Sequence, residues 1–426
     1  MFNFLFSKTP LFYLVQPLWR DEAFSYLLAK KNLWEIISLS LKEFTPPLYY
    51  LLLHFWIKIF GSSEIALRSL SYVFYWLTVY IVFLIFADVF KIKIKKALLY
   101  LIFIVINPLL VYYSFEARGY TLFSFLAILS FYFLYKKNKY YFLTVILGLF
   151  THYFMIFVVL SQYLIFKNKK ILKSLIIFVP WLILVFLNHK NQSFNFWIKS
   201  FNLTDLYNSL AYVFLGYEKE FLFFKKKIFF VSLFLWLIIF LGYLRVKPQS
   251  KYKKIFSYFF LIGVIIPILF MIFSLLIKPV FLPRYLIFAN ISLIIFLIVI
   301  AEFSLGIKKI FFICLIILLG ISSLKYHYLQ IINRKKTDLR KNCREIKAIL
   351  KKEDLVYVKN ELDFFVAQYY LNEDQVFIYN KTYQEIPQYV GKILIPKNKI
   401  VQILPVYPKR AFIIDEKGQY TISALY

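Results

Sequence analysis

Apolar runs long enough to cross a bilayer recur along this 426-residue chain from the N-terminus to about Leu324. A segment in hydrocarbon must satisfy its backbone amides internally, so runs of this length fold as helices packed side by side. An all-α polytopic membrane domain over residues 1–324 follows. After that point Lys, Glu, Asp and Asn become frequent, and residues 325–426 read as a separate domain in water. A chain that is 61% hydrophobic is too apolar for a soluble domain of any common type.

The formal net charge of +30 would suggest nucleic acid in a soluble protein. Here most lysines fall in short loops between apolar runs, with few aromatics interleaved, so membrane orientation explains the charge and nucleic acid is excluded as a partner. The clusters are Lys91 to Lys96, Lys136 to Lys139, Lys167 to Lys173, Arg245 to Lys254, and Lys308 with Lys309. With these on the cytoplasmic side, about eleven transmembrane helices result, the N-terminus is cytoplasmic, and the C-terminal domain is extracytoplasmic. The setting implied is a plasma (inner) membrane, with its lipids as surroundings. The outward segments are then the large first loop 19–68, residues 114–120, the turn at His152, 188–227, 278–284, and everything past about Lys325.

Residues 2–18 are short for a span and broken by Lys8 and two prolines. They read as a minimal first helix or the remnant of a longer one, rather than a cleaved signal peptide, because no small-residue cleavage site follows. Leu33 to Leu41 and Pro47 to Phe60 alternate apolar and polar residues and read as helices lying along the membrane surface. Glu64 and Arg68 stand four apart, the spacing of an ordinary surface ion pair on a helix. In the soluble domain a helix is expected over Thr337 to Lys352, capped by Thr337 or Asp338, and a helical segment over Glu361 to Leu371. Strands are expected at Leu355 to Val358, Val376 to Tyr379, Ile393 to Ile395, Ile400 to Leu404, Ala411 to Ile414 and Tyr420 to Ser423. This small α/β unit carries no nucleophile elbow, P-loop, dinucleotide fingerprint or metal motif, so docking is its expected role. Cys314 and Cys343 lie in different domains and are not expected to pair. Sequons at Asn191, Asn202 and Asn380 matter only in a glycosylating secretory pathway, which nothing here indicates.

The assigned topology puts Asp21, Glu22, Glu116, Arg118, His152 and Arg284 on one side, each at the mouth of a helix. Ionised groups are costly in hydrocarbon, so such a set marks a wet cleft at the membrane rim. A carboxylate such as Asp21 can take a proton from an attacking hydroxyl. Guanidinium groups such as Arg118 and Arg284 can hold a departing lipid phosphate through paired hydrogen bonds. The rings of Tyr120, Tyr153 and Tyr285, beside the charged positions, can hold a sugar face. His152, alone in an apolar turn, fits a structural hydrogen bond or a phosphate contact, while His54 reads as structural. Asp88 and Glu302 fall at lysine-rich ends, where they can pair with those clusters.

In order, Trp19-Arg20-Asp21-Glu22-Ala23, Thr45-Pro46-Pro47-Leu48-Tyr49-Tyr50, Gly61-Ser62-Ser63-Glu64-Ile65-Ala66-Leu67-Arg68, Glu116-Ala117-Arg118-Gly119-Tyr120 and Pro283-Arg284-Tyr285-Leu286 are successive short motifs. Their order and spacing resemble the GT-C glycosyltransferases, in the branch of protein O-mannosyltransferases, lipid A aminoarabinose transferases and Rgt-type bacterial transferases. The resemblance covers the membrane part and is densest in the first 160 residues. It implies a GT-C fold, a polyprenyl-phosphate-sugar donor, transfer on the extracytoplasmic face, and Asp21 as catalytic base with Glu22 beside it. It also implies that Glu116 and Arg118, and then Arg284 and Tyr285, contact the donor phosphate. Some branches hold a divalent metal ion between acidic residues of two outer loops, which here maps onto Asp21 and Glu116; others use basic residues alone. The short first helix departs from the family pattern.

The expectation is therefore a hexosyl- or pentosyltransferase, inverting or retaining, with a lipid, glycan or protein hydroxyl as acceptor. The rival is a polytopic transporter or flippase of lipid-linked glycans, which predicts charges through the spans around a midplane site. A third class is an inactive scaffold for other envelope enzymes.

Overall fold

The computed structural model describes residues 2–189, 227–245, 250–333 and 338–426. Most of the expected outer loop 188–227, with Asn191 and Asn202, lies outside the described residues, as do positions 246–249 of one basic cluster and the cap at Thr337.

Among the described residues, five helices are long and apolar enough to span a membrane: Glu64–Val89, Lys169–His189, Ser250–Leu276, Pro283–Phe303 and Gly306–Asn333. Ile94–Val105 and Pro108–Ser114 are together apolar enough to make a sixth, bent by 69° at a short break. Asn107 makes that bend: its side chain caps the Leu110 N–H at 2.9 Å and bonds the side chain of Asn290, and Pro108 at the first helical position has no N–H to satisfy. Tyr120–Tyr135, Met155–Phe166 and Phe234–Leu244 are shorter apolar helices. Tyr141–Leu149 and Met155–Phe166 flank the expected turn at His152, which spans 150–154. The chain is a multi-pass membrane protein. Ile287–Phe303 is buried nearly all round and forms the axis of the bundle.

The lysine-rich ends meet. Lys96 pairs with Glu302 at 2.6 Å and Lys136 with Asp88 at 3.1 Å, as their positions in the sequence led us to expect. Phe90, Tyr252 and Phe303, which adjoin three of the basic clusters, pack their rings within 5.2–6.4 Å of one another.

The first loop folds into Arg20–Ala29, Leu33–Lys42 and Leu48–Phe60. Asn32 starts the second helix by a capping box: its side chain accepts from Glu35 N at 2.9 Å while the Glu35 carboxylate accepts from Asn32 N at 3.2 Å. The segment 2–18 is two short helices, Phe2–Lys8 and Phe12–Val15. Ser114, which ends the helix Pro108–Ser114, is fully buried, while Arg118 and Gly119 of the same segment are half-buried.

The C-terminal domain is a mixed five-stranded sheet of β1 (Leu355–Val358), β2 (Val376–Tyr379), β3 (Ile400–Val401), β4 (Ala411–Ile414) and β5 (Tyr420–Ser423), in the order β3-β2-β1-β4-β5. Only the β4–β5 pairing is antiparallel. Leu339–Ile349, capped by Asp338, and Phe364–Tyr370 are its helices. The strand expected at Ile393 to Ile395 is instead a 3-10 turn, Lys392–Leu394, just after Gly391 in the left-handed region. The domain shares its core with the first loop: Leu18, Phe24, Leu28 and Leu53 are buried in one cluster with Val356, Phe364 and Phe365.

Candidate active site at the helix rim

The rim opposite the lysine ends is built on one buried ion pair. Glu22 and Arg68 have no exposed side-chain surface, and Arg68 Nε and Nη2 donate to the two Glu22 oxygens at 2.7 and 2.8 Å. The other Arg68 donors reach the carbonyls of Leu14 (2.9 Å), Gln16 (2.7 Å) and Pro17 (2.9 Å). Glu22 also accepts from Trp19 N at 2.8 Å, the reach of a helix N3 glutamate back to its cap, and from Ala117 N at 3.1 Å. This corrects two expectations. Arg68 does not pair with Glu64 on a helix surface, and Glu22 is a structural anchor rather than a substrate contact, because its oxygens are engaged by protein. Glu64 turns instead to Arg340 at 3.0 Å and to the Tyr370 hydroxyl.

That anchor ties the helix of Asp21 to the turn of Arg118. Asp21 is half-buried in the first turn of Arg20–Ala29, where Ser25 Oγ donates to its carbonyl at 2.9 Å. The backbone of Arg118 is held through its carbonyl by Ser71 Oγ at 3.1 Å, and Ser71 in turn takes the Tyr49 hydroxyl at 2.9 Å. Gly119 permits this packing, since a Cβ there would stand 3.2 Å from Tyr49 Cβ. The Arg118 guanidinium reaches Ser25 Oγ and the Tyr50 hydroxyl at 3.5 Å each, and lies 5.9 Å from the Tyr120 ring centre. Burial opposes its charge, but Tyr50, Tyr120 and Asp21 outweigh that and hold it protonated.

His152 joins the group from the turn at 150–154. Its Nδ1 accepts from Phe154 N at 3.2 Å, which leaves Nε2 as the N–H donor. Burial, with the Arg118 charge adding to it, pushes its pKa down to about 3, so the ring is neutral in the physiological range. It stacks on Phe123 at 4.8 Å and lies 5.0 Å from the Tyr285 ring, which is 6.0 Å from that of Tyr120. Arg284, one residue from Tyr285, acts electrostatically on that phenol, as do Arg118 and Asp21. Glu116 is buried two residues before Arg118, whose N–H it accepts through its carbonyl at 2.7 Å. Tyr153 turns away, its ring 5.1 Å from Phe44 and its hydroxyl accepting from Trp181 Nε1 at 3.3 Å. His54 is structural as expected, bonded to the Ala29 carbonyl at 2.8 Å.

Asp21, Arg118, Tyr120, His152, Arg284 and Tyr285 thus gather at one rim. Each of several helices runs from this rim to a lysine end; Pro283–Phe303, at 21 residues, places the two about 30 Å apart.

One residue here escaped the sequence reading. Glu43, at the end of Leu33–Lys42, is half-buried with Oε2 lacking a hydrogen-bond partner. Burial first, and then the nearby Asp21 charge, push its pKa up to about 8, against the pull of Arg118. It lies just before the motif Thr45-Pro46-Pro47-Leu48-Tyr49-Tyr50, but nothing marked Glu43 itself. Among the described residues no three His, Cys, Asp or Glu side chains converge on a point that could hold a metal ion.

No family model and no curated protein matches the sequence. Among solved structures, ArnT from Cupriavidus metallidurans bound to undecaprenyl phosphate aligns with a TM-score of 0.59 at 12% identity, over 97% of this chain and 93% of that one. The apo state of ArnT aligns at 0.57 and 11%, over 87% and 82%. The chain has the GT-C fold. As expected from the order of its motifs, the GT-C fold here runs through the membrane helices, and the match extends over the small C-terminal sheet domain.

Proposed function

We propose that the chain is a membrane glycosyltransferase that moves a hexose or pentose from a polyprenyl-phosphate donor to a hydroxyl of a lipid, glycan or protein. The observation that carries this reading is the gathering of Arg118, Tyr120, Tyr285 and His152 at one rim of the helix bundle, within reach of the Asp21 charge. It is supported by the shared fold with ArnT, one structure of which holds undecaprenyl phosphate. By the lysine distribution, the rim and the C-terminal domain face the extracytoplasmic side of the plasma (inner) membrane and the N-terminus lies in the cytoplasm.

In this reaction the acceptor oxygen bonds to the anomeric carbon as the bond from that carbon to the lipid-phosphate oxygen breaks. Asp21 takes the acceptor's proton. The electron pair leaves with the lipid phosphate, whose growing charge Arg118 and Arg284 stabilise by fixed donors in a half-buried setting. His152 Nε2–H offers a neutral donor to the same phosphate. Tyr120 and Tyr285 supply rings and hydroxyls for the sugar, and Glu116 supports the turn that carries Arg118.

A transporter of lipid-linked glycans would place ionisable groups near the middle of the spans. Among the described residues, the polar side chains that bond one another within the bundle, Asn107 with Asn290 and Gln162 with Tyr141 and Ser130, are uncharged, which favours the enzyme. The test is titration of the purified protein with labelled polyprenyl phosphate. Binding that weakens tenfold or more in Arg118→Gln, the loss of one charge-assisted contact or more, supports the reading; wild-type protein that does not bind the lipid phosphate overturns it.

A further inference from the structure

We propose that Asp363 of the C-terminal domain is a positioning residue for Asp21: by holding the neighbouring Arg20 guanidinium, it keeps the Asp21 carboxylate free of that cation. The inference rests on the glycosyltransferase reading above and deepens it.

The two domains meet along the helix that carries Asp21. Phe364–Tyr370 lies against Arg20–Ala29 from end to end. At the start, Arg20 Nε and Nη2 both contact Asp363 Oδ1, at 3.2 and 3.1 Å, and the Asp363 side chain is only 4% exposed. In the middle, Phe24 meets Phe365 edge-on at 5.7 Å and Tyr26 meets Tyr369 at 5.1 Å. Beyond the far end Lys30 pairs with Glu373. The Tyr370 hydroxyl accepts from Leu18 N at 2.8 Å, ahead of the first turn. Gly391 adds a close approach that only glycine tolerates: it has φ +82°, and a Cβ would stand 2.5 Å from the Phe24 ring.

Aromatic packing alone would dock this helix. What it leaves unexplained is a carboxylate buried beneath the residue next to the proposed base. Arg20 and Asp21 are adjacent in the first turn, and Arg20 is a long side chain with rotamers on either side of its own helix. Released from Asp363, the Arg20 guanidinium is free to swing over its own first turn toward Asp21, and a cation within about 4–6 Å makes a carboxylate a weaker base by one pKa unit or more. Asp363 removes that competitor. The guanidinium lies beside the Trp19 ring, 5.7 Å from its centre, which fixes its other side. Within the site, Asp21 interacts electrostatically with Arg118, Glu43 and Tyr285. Around Asp363 the other titratable groups are Glu361 and Cys343.

The test compares wild type, Asp363→Asn and the double variant Arg20→Gln with Asp363→Asn in transfer from a labelled polyprenyl-phosphate sugar, after Asp21→Asn has shown that wild-type turnover depends on Asp21. The expected result for Asp363→Asn is a kcat roughly tenfold lower with a donor KM within about twofold, and an acid limb of the pH profile moved down by about one unit. Removing the released cation in the double variant restores kcat and the limb. If Asp363→Asn turns over like wild type, or if the double variant is as slow as the single one, the proposal is overturned while the glycosyltransferase reading stands. If wild type shows no transfer, it is the reading that falls. Should Asp363→Asn fold poorly, the double variant decides: recovered turnover supports the role, and continued loss contradicts it.

Discussion

Arg68 Nε lies 2.7 Å from Glu22 Oε1, 46 residues away in sequence, and the guanidinium uses all five of its N–H donors inside the protein. Both side chains are fully buried, so removing either one strands a charge away from water. Glu22→Gln and Arg68→Ala are each expected to lower stability by about 3–5 kcal/mol. Arg68→Lys does not restore it, because an ammonium has three donors and no fork. Thermal unfolding of the purified protein measures this; a midpoint unchanged in Glu22→Gln contradicts the anchor role.

Glu43 gives the site a basic limit. Its folded pKa is raised to about 8, so the folded state binds a proton more tightly than the unfolded one. Its contribution to stability is then fully present below the ordinary carboxylate range and is lost as pH rises through about 8. Above that pH a second negative charge also faces the incoming phosphate. Transfer should decline above pH ~8 in wild type, and the decline should disappear in Glu43→Gln; a variant with the same basic limb as wild type contradicts this account.

His152 is held neutral, with a pKa near about 3. The rate profile should therefore show no limb in the range of ordinary histidines, about pH 6–7. His152→Phe keeps the stack on Phe123 but removes the Nε2–H, and should weaken lipid-phosphate binding by roughly tenfold, the value of about one hydrogen bond. Equal binding by the variant removes His152 from the phosphate site.

Orientation is tested by cysteine accessibility in a Cys314→Ser background, since Cys343 is buried. Lys341→Cys, on the exposed face of the C-terminal domain, should react with an impermeant reagent in intact cells, and Lys137→Cys, in an exposed lysine cluster, only after permeabilisation. The reverse pattern inverts the topology.

The sequence showed the rim because ionisable residues are rare in spans, and each one at a helix mouth is informative alone. Asp21, Arg118, His152 and Arg284 needed no knowledge of contacts, and neither did Asp88 or Glu302 beside their lysines. What it concealed were partners far apart in the chain. The four-residue spacing of Glu64 and Arg68 suggested a local pair, yet tertiary packing turned Arg68 inward to Glu22 and Glu64 outward to Arg340, 276 residues on. Arg20 with Asp363, 343 residues apart, was equally out of reach. Glu43 belongs to no motif, and its importance arises only from burial beside Asp21. The strand expected over Ile393 to Ile395 failed because a left-handed Gly391 starts a 3-10 turn there.

The most direct measurement is transfer of a labelled sugar from polyprenyl phosphate by wild-type and Asp21→Asn protein, alongside binding of the lipid phosphate by both. The account predicts that Asp21→Asn binds lipid phosphate as wild type does but transfers slower by about 10²–10⁴-fold, the contribution of a general base. Transfer by Asp21→Asn at the wild-type rate would contradict it.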